Sequence, residues 1–213
     1  MPHIFFIEGN IGTGKSTFLS MIEKCFPGKY QVIYEPLDIW LEFKDKDNKN
    51  ILDFFYKDPK RYSYTFQNIA FISRLEKLEE IDMTKEFIFI ERSIWADKNV
   101  FAKNCYETGL MNDIEYKLYK KWFDCLVKKF HITNYNFVYL KCSAETSYER
   151  LKSRGRKEEN TVSLEYLRQI ENQHEEWLED GSRVIKINAN LNYKDENVFR
   201  EVFNTFFQEI DFL

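Results

Sequence analysis

Residues 9–17 read GNIGTGKST, which fits the phosphate-loop pattern G-x-x-x-x-G-K-[ST]. Such a run does phosphate chemistry. Its backbone N–H groups cradle an anion, its lysine reaches the β- and γ-phosphates of a nucleotide, and the next hydroxyl ligates Mg²⁺. Here the lysine is Lys15 and the hydroxyl Ser16, with Thr17 beside it. Gly9, Gly12 and Gly14, three of only seven glycines in the chain, give the backbone room to approach a ligand. The whole loop, including Asn10 and Thr13, is the candidate site for the donor phosphates. An ordinary glycine-rich turn with a surface lysine is the competing account, and the full pattern with both flanks correct speaks against it.

Further polar residues could serve the same reaction. Glu35 stands before Pro36, which bars it from the helical region and leaves the carboxylate where a strand ends and a helix begins. Trp40 follows close enough to wall the same cleft. An acid favoured by a helix N-terminus is the alternative reading of Glu35. Gln67, Ala70 and Arg74 fall at i, i+3 and i+7 of a helix, with Phe66 and Phe71 alongside. Planar hydrogen-bonding groups between aromatic rings suit a nucleobase, although the same spacing fits a solvent-facing Gln and Arg beside core phenylalanines. Glu91 ends an apolar run and could hold Mg²⁺, with Arg92 pointing to the same place; an Arg–Glu pair at a strand end is the structural alternative. Arg150, Arg154 and Arg156 cluster near Gly155, with Glu158 and Glu159 just behind. Such density is often a solvated face, but it also suits a flap that closes arginines onto transferring phosphates.

The elements that must position these residues alternate. Apolar runs His3–Glu8, Tyr30–Tyr34, Phe87–Glu91, Phe137–Lys141 and Val184–Asn188 predict five strands, the first three of them buried. Asn134-Tyr135-Asn136 predicts the turn into the fourth. Helical spacing predicts helices over Ser16–Phe26, Asn48–Tyr56, Pro59–Met83, Ile94–Glu107, Asp113–Phe130, Ala144–Leu151, Ser163–Trp177 and Asp195–Ile210. Strand–helix alternation predicts an α/β fold with a parallel sheet covered on both faces, and ligands at the carboxyl edge of that sheet.

With 213 residues, the chain suits one domain, residues 1–213. A net charge of -4 argues against a nucleic-acid or membrane-surface binder and for small-molecule partners. No run is apolar enough for a membrane span, and the chain enters a core strand without a charged leader, which predicts a cytoplasmic protein, in the host cytoplasm if the source is viral. Cys25, Cys105, Cys125 and Cys142 lack metal-ligand spacing and read as reduced, mostly buried thiols. His3, His131 and His174 lie far apart, so neither zinc nor catalysis is expected of them. The helices between Ile94 and Phe130 are more apolar than one face requires, which predicts a homodimer.

In sum these residues resemble the deoxynucleoside kinases, specifically the branch containing deoxycytidine kinase and deoxyguanosine kinase. The resemblance spans nearly the whole chain: EGNIGTGKST at 8–17, EPLDIW at 35–40, YKDP at 56–59, FQ at 66–67, ERS at 91–93 and RLKSRGRKEE at 150–159. It implies a phosphate-loop kinase with a five-stranded parallel sheet and an Arg-rich lid over about residues 150–162. The implied reaction moves the γ-phosphate of ATP, or another triphosphate, with Mg²⁺ to the 5′-hydroxyl of a deoxyribonucleoside. By the same resemblance Glu35 is the general base with Arg92 beside it, Lys15, Ser16 and Thr17 hold donor phosphates, Glu91 organises Mg²⁺, and Arg150, Arg154 and Arg156 are lid arginines. Tyr56 and Glu159 bind the 3′-hydroxyl, Trp40, Phe66 and Phe101 pack around the base, and Gln67 pairs with its edge. Ala70, Arg74 and Asp97 set base choice; an acceptor facing thymine's carbonyl favours deoxycytidine or a deoxypurine over thymidine. Tyr193 is the candidate for stacking on the donor base. Trp95 departs from the smaller aromatic common at its position and leaves pocket volume open. A nucleoside monophosphate kinase and a non-catalytic nucleotide-binding subunit are the alternatives, while no N-K-x-D motif supports a phosphate-loop switch protein.

Overall fold

The structure is a computed structural model that describes residues 2–130, 135–156, 159, 161–179, 181 and 183–210. At its centre lies β1 (His3–Glu8), flanked by β3 (Phe87–Glu91) and β4 (Tyr135–Lys141); β2 (Gln31–Ile33) and β5 (Val184–Asn188) form the edges, in the order β2-β3-β1-β4-β5. Every pairing is parallel. That arrangement requires cover on both faces, and the sequence supplies it by alternation. Phe5 and Ile7 face one core with Phe89, Phe18, Leu19 and Ile22 of α1 (Lys15–Cys25) and Phe199, Phe203 and Phe206 of α10 (Glu196–Ile210). Ile4 and Phe6 face the other with Phe71 and Leu75 of α4 (Pro59–Lys77) and Tyr119 and Phe123 of α7 (Asp113–Val127).

Between these lie α2 (Leu37–Glu42), α3 (Ile51–Lys57), α5 (Ile94–Ala96), a π-helical segment (Asp97–Ala102), α6 (Lys103–Glu107), α8 (Ala144–Arg154) and α9 (Leu164–Leu178). Asn50 and Asp53 form a capping box on α3, Asn112 and Glu115 one on α7, and Asp58 caps α4 ahead of Pro59. In contrast, α1 begins after left-handed Gly14 with no side-chain cap and no acid in its first turn. Register sets the ends of β1 and β3 level, with Ile7 opposite Glu91. No described helix is long and apolar enough to cross a membrane.

Several boundaries differ from the sequence-based expectation, each for a visible reason. β2 is a three-residue edge strand, not a fully buried one, and Gln31 and Val32 are half-buried. The helix expected to reach Met83 ends at Lys77, with one 3₁₀ turn over Leu78–Glu80. Gln31 draws the chain away there: its side-chain amide donates to Glu80 O at 2.7 Å and accepts from Asp82 N at 2.8 Å. Tyr135 and Asn136 belong to β4 rather than to a turn, because Tyr135 stacks on Trp95 at 4.5 Å and pairs with Ile4; Asn134 and His131 lie outside the described residues. Helix α8 runs three residues past Leu151, to left-handed Gly155.

Candidate active site

A cavity of about 810 Å³ opens at the carboxyl ends of β1, β2 and β3. One end is walled by the loop from Gly12 to Thr17, by Arg150 and Arg154, and by Leu191 to Lys194; the other by Trp40, Tyr56, Phe66, Gln67, Ala70, Arg74, Asp97 and Phe101. Glu35, Glu91, Arg92, Arg156 and Glu159 line it as well. The fold thus gathers residues from across the chain into one chamber with an anion-seeking end and an aromatic end.

At the anion-seeking end, the uncapped start of α1 presents unpaired backbone donors. Gly12 has φ +88°, and a Cβ there would stand 2.4 Å from Ser147 O, so the loop needs glycine to pass under α8. Gly9 and Asn10 shape the loop from behind rather than line the cavity; a Cβ on Gly9 would meet Leu140 O at 2.8 Å, and Asn10 Nδ2 donates to Leu167 O at 2.7 Å. Lys15 is buried, its Nζ donating to Asn10 O at 2.7 Å and Gly9 O at 3.2 Å. Burial and the charge of Arg92 push its pKa down to about 7, against the pull of Glu91, Glu35 and Glu8. Ser16 Oγ donates to Glu91 Oε1 at 2.7 Å. One hydroxyl and one carboxylate side by side form the small oxygen set that Mg²⁺ uses when phosphates and waters supply its remaining ligands.

At the centre, Glu35 lies between two guanidinium groups. Arg74 Nη2 and Arg92 Nε both donate to its Oε1, the second at 3.3 Å. Burial disfavours the charged carboxylate, but Arg74, Arg92 and Lys15 outweigh it and hold Glu35 down at about 2. Arg92 is a non-glycine residue at φ +63°, a conformation costing about 1–3 kcal/mol, and is 4% exposed. Its N–H donates to Ile7 O at 3.0 Å, and its guanidinium lies 4.6 Å above the Phe101 ring. The π-helical segment carries Asp97 and Phe101 to the cavity wall, where the regular helix expected over Ile94–Glu107 is interrupted.

At the aromatic end, Gln67 and Arg74 are buried, which removes the solvent-facing reading of α4. Trp40 meets Phe66 edge to face at 5.4 Å, and its Nε1 donates to Ser73 Oγ at 2.9 Å. Arg74 lies 5.0 Å over the Trp40 ring and donates through Nη1 to Asp97 Oδ1. Burial pushes Asp97 up to about 6 in spite of Arg74 and Arg92. Gln67 Oε1 and Asp97 Oδ2 are buried without a hydrogen-bond partner, which is the state of groups built to meet a ligand.

The arginines after residue 150 divide their work. Arg154 Nη2 donates to both oxygens of Glu159 at 2.6 Å, and Arg156 stands 3.7 Å from Glu159. Arg150 is instead tied to the scaffold, donating to Ala189 O at 2.6 Å and Thr13 O at 3.0 Å. Of the expected lid, Lys157, Glu158 and Asn160 lie outside the described residues. Tyr193, expected to stack on the donor base, lines the cavity wall but is 3% exposed: its ring meets Phe18 edge to face, and its hydroxyl donates to Asn188 O at 2.6 Å.

Sequence reasoning missed Glu8. Its carboxylate is fully buried and accepts from Ser93 N at 2.8 Å, joining the strand before the loop to the turn that carries Arg92. An acid closing an otherwise apolar strand, the feature that drew attention to Glu91, was the available signal. Leu52, Phe55 and Tyr166 also line the cavity, and nothing in their spacing sets them apart from core residues.

The family profile described as deoxynucleoside kinase matches residues 5–211. A probable deoxycytidine kinase of fowlpox virus (strain NVSL) is 34% identical over 198 residues, covering 90% of this chain and 80% of the relative. The mitochondrial deoxyguanosine kinase of Xenopus laevis is 35% identical over 190 residues, covering 81% and 71%, and the deoxycytidine kinase of Homo sapiens 34% over 194, covering 81% and 74%.

Proposed function

The chain belongs to the deoxynucleoside kinase family, and from that premise we propose that its cavity transfers the γ-phosphate of ATP, with Mg²⁺, to the 5′-hydroxyl of deoxycytidine or a deoxypurine in preference to thymidine. The observation that carries this reading is the position of Glu35 between the two ends of one chamber, with Lys15 and Arg92 beside it. We read residues 1–213 as one catalytic domain working in the cytoplasm.

In this mechanism the loop amides and Lys15 hold the donor phosphates, while Arg92 and Arg154 neutralise charge that spreads over the transferring group. Ser16 and Glu91 would hold Mg²⁺, which would supply positive charge against the donor phosphates. Glu35 takes the proton from the 5′-hydroxyl as its oxygen bonds to phosphorus, and the β–γ bridging oxygen leaves with its electron pair. Tyr56 and Glu159 hold the 3′-hydroxyl, Trp40, Phe66 and Phe101 pack around the base, and Gln67 and Asp97 supply the buried acceptors that a base amino group would satisfy. Ala70 leaves room in the wall.

Glu35→Gln tests the assignment. Loss of general-base assistance lowers kcat by about 10² to 10⁴ with little change in KM; near wild-type turnover would remove Glu35 from that role.

A homodimer is part of this reading. Ile114, Leu118 and Trp122 recur along α7 at i, i+4 and i+8 and are 71%, 43% and 49% exposed, with exposed Cys125 on the same stripe and exposed Ile72 on neighbouring α4. A continuous apolar face of this kind suits a self-complementary two-fold contact.

A further inference from the structure

Among the described residues, Arg74 is the one whose guanidinium hydrogen-bonds both the acid proposed to meet the nucleobase and the acid proposed to meet the 5′-hydroxyl. Nη1 donates to Asp97, Nη2 donates to Glu35, and the Trp40 ring lies beneath the plane. The fork is rigid, so one arm cannot be redirected without disturbing the other. Asp97 Oδ2 and Arg74 Nε are buried with no partner, so the base end of this chain of contacts is incomplete while the Glu35 end is closed. Both arginines that reach Glu35 do so at Oε1.

We propose that Arg74 couples base recognition to the phosphate-accepting end: a nucleobase that engages Asp97 and offers Arg74 a ring acceptor competes with Glu35 for the same guanidinium. This rests on the proposed roles of Glu35 and of the base pocket and adds the link between them. An amino group beside a ring nitrogen, as in cytosine and adenine, matches a free carboxylate oxygen beside a guanidinium. While Arg74 donates to it, Glu35 is a weak proton acceptor. The other charges facing Glu35 are Arg92 at the end of β3 and Lys15 at the start of α1, with Tyr56 on α3 and Asp97 behind Arg74. Only Arg74 among them also contacts a group proposed to meet the base. If the base and Glu35 compete for this guanidinium, weakening the Arg74–Glu35 contact strengthens base binding.

The test is calorimetric binding of 2′,5′-dideoxycytidine and 2′,5′-dideoxyadenosine, which lack the hydroxyl that Glu35 would contact. Glu35→Gln is expected to bind at least one of them about tenfold tighter than wild type, and the gain is expected to vanish when Arg74→Met is added. Equal affinity in wild type and E35Q overturns the coupling, as does a gain that persists with R74M. If the double variant does not fold, the comparison of wild type with E35Q decides alone. Kinetics keep the premises separate: an inactive E35Q with unchanged ligand affinity sinks the coupling but keeps the base, whereas a fully active E35Q sinks the base itself. Failure of both ligands to bind any of the proteins overturns the pocket assignment and the coupling together.

Discussion

The hydroxyl of Ser16 donates to Glu91 Oε1 at 2.7 Å, across 75 positions of sequence, and so fastens the first turn of α1 to the end of β3. In the proposed function these two oxygens share a cation. Chelation of divalent metal is therefore expected to abolish turnover. Glu91→Gln should raise the Mg²⁺ concentration for half-maximal rate by about 10- to 100-fold, measured by metal titration; an unchanged titration curve would free Glu91 of that role.

Burial penalises the charge of Lys15 and, with Arg92 nearby, pushes its pKa down to about 7. A folded value below the ordinary 10.5 means that, between the two, the unfolded chain binds more protons, so this residue favours folding increasingly as pH rises through that window. Donor phosphates reverse the penalty by supplying negative charge. Binding of a triphosphate at about pH 8 is expected to take up close to one proton, and at about pH 6 almost none. Calorimetry in buffers of different ionisation enthalpy reads that number, and Lys15→Met should erase the uptake.

Glu35 shifts in the opposite sense, to about 2. A carboxyl depressed below the ordinary 4.5 contributes stability above that pH and loses it as pH falls towards 2. Glu35→Gln lacks this contribution, so its melting temperature should fall less steeply than that of wild type on acidification below about pH 5.

Gly12 cannot carry a side chain where it lies, with φ +88° and Ser147 O at 2.4 Å from an added Cβ. Gly12→Ala is expected to cost about 1–3 kcal/mol by thermal or denaturant melting and to weaken nucleotide binding. Gly28→Ala, at φ +70° with nothing within 4 Å, gives the strained but unobstructed control.

In the proposed function, base preference is set by Arg74 and Asp97 in the wall. Comparing the four deoxynucleosides should give thymidine the lowest kcat/KM, because its carbonyls face an acceptor and its methyl meets Arg74. Thymidine in first place would end that assignment.

The loop, the strand-end acids and the strands were readable because each combines a local pattern with a local cause: glycines where φ is positive, apolar runs where the central strands β1 and β3 are buried on both faces, and alternation at the edge strand β5. Arg74 and Gln67 were ambiguous since helical periodicity gives a face but not what covers it. Asp97 and Phe101 share the cavity wall through a π-helical segment that spacing rules for a regular helix do not foresee. The contacts of Arg150 and Tyr193 were not legible because their partners, the carbonyls of Thr13 and Ala189 and that of Asn188, are backbone atoms with no signature in residue type. Glu8 was overlooked for the converse reason, as one more letter of a motif whose glycines drew the eye.

Three of the four thiols, Cys25, Cys105 and Cys142, are buried, and the fourth, Cys125, is exposed on the apolar stripe of α7. A thiol reagent therefore counts unpaired faces. If two copies associate through that stripe, alkylation should be slow in concentrated solution and quicken on dilution, reporting assembly in real time from a position away from the nucleotide chamber.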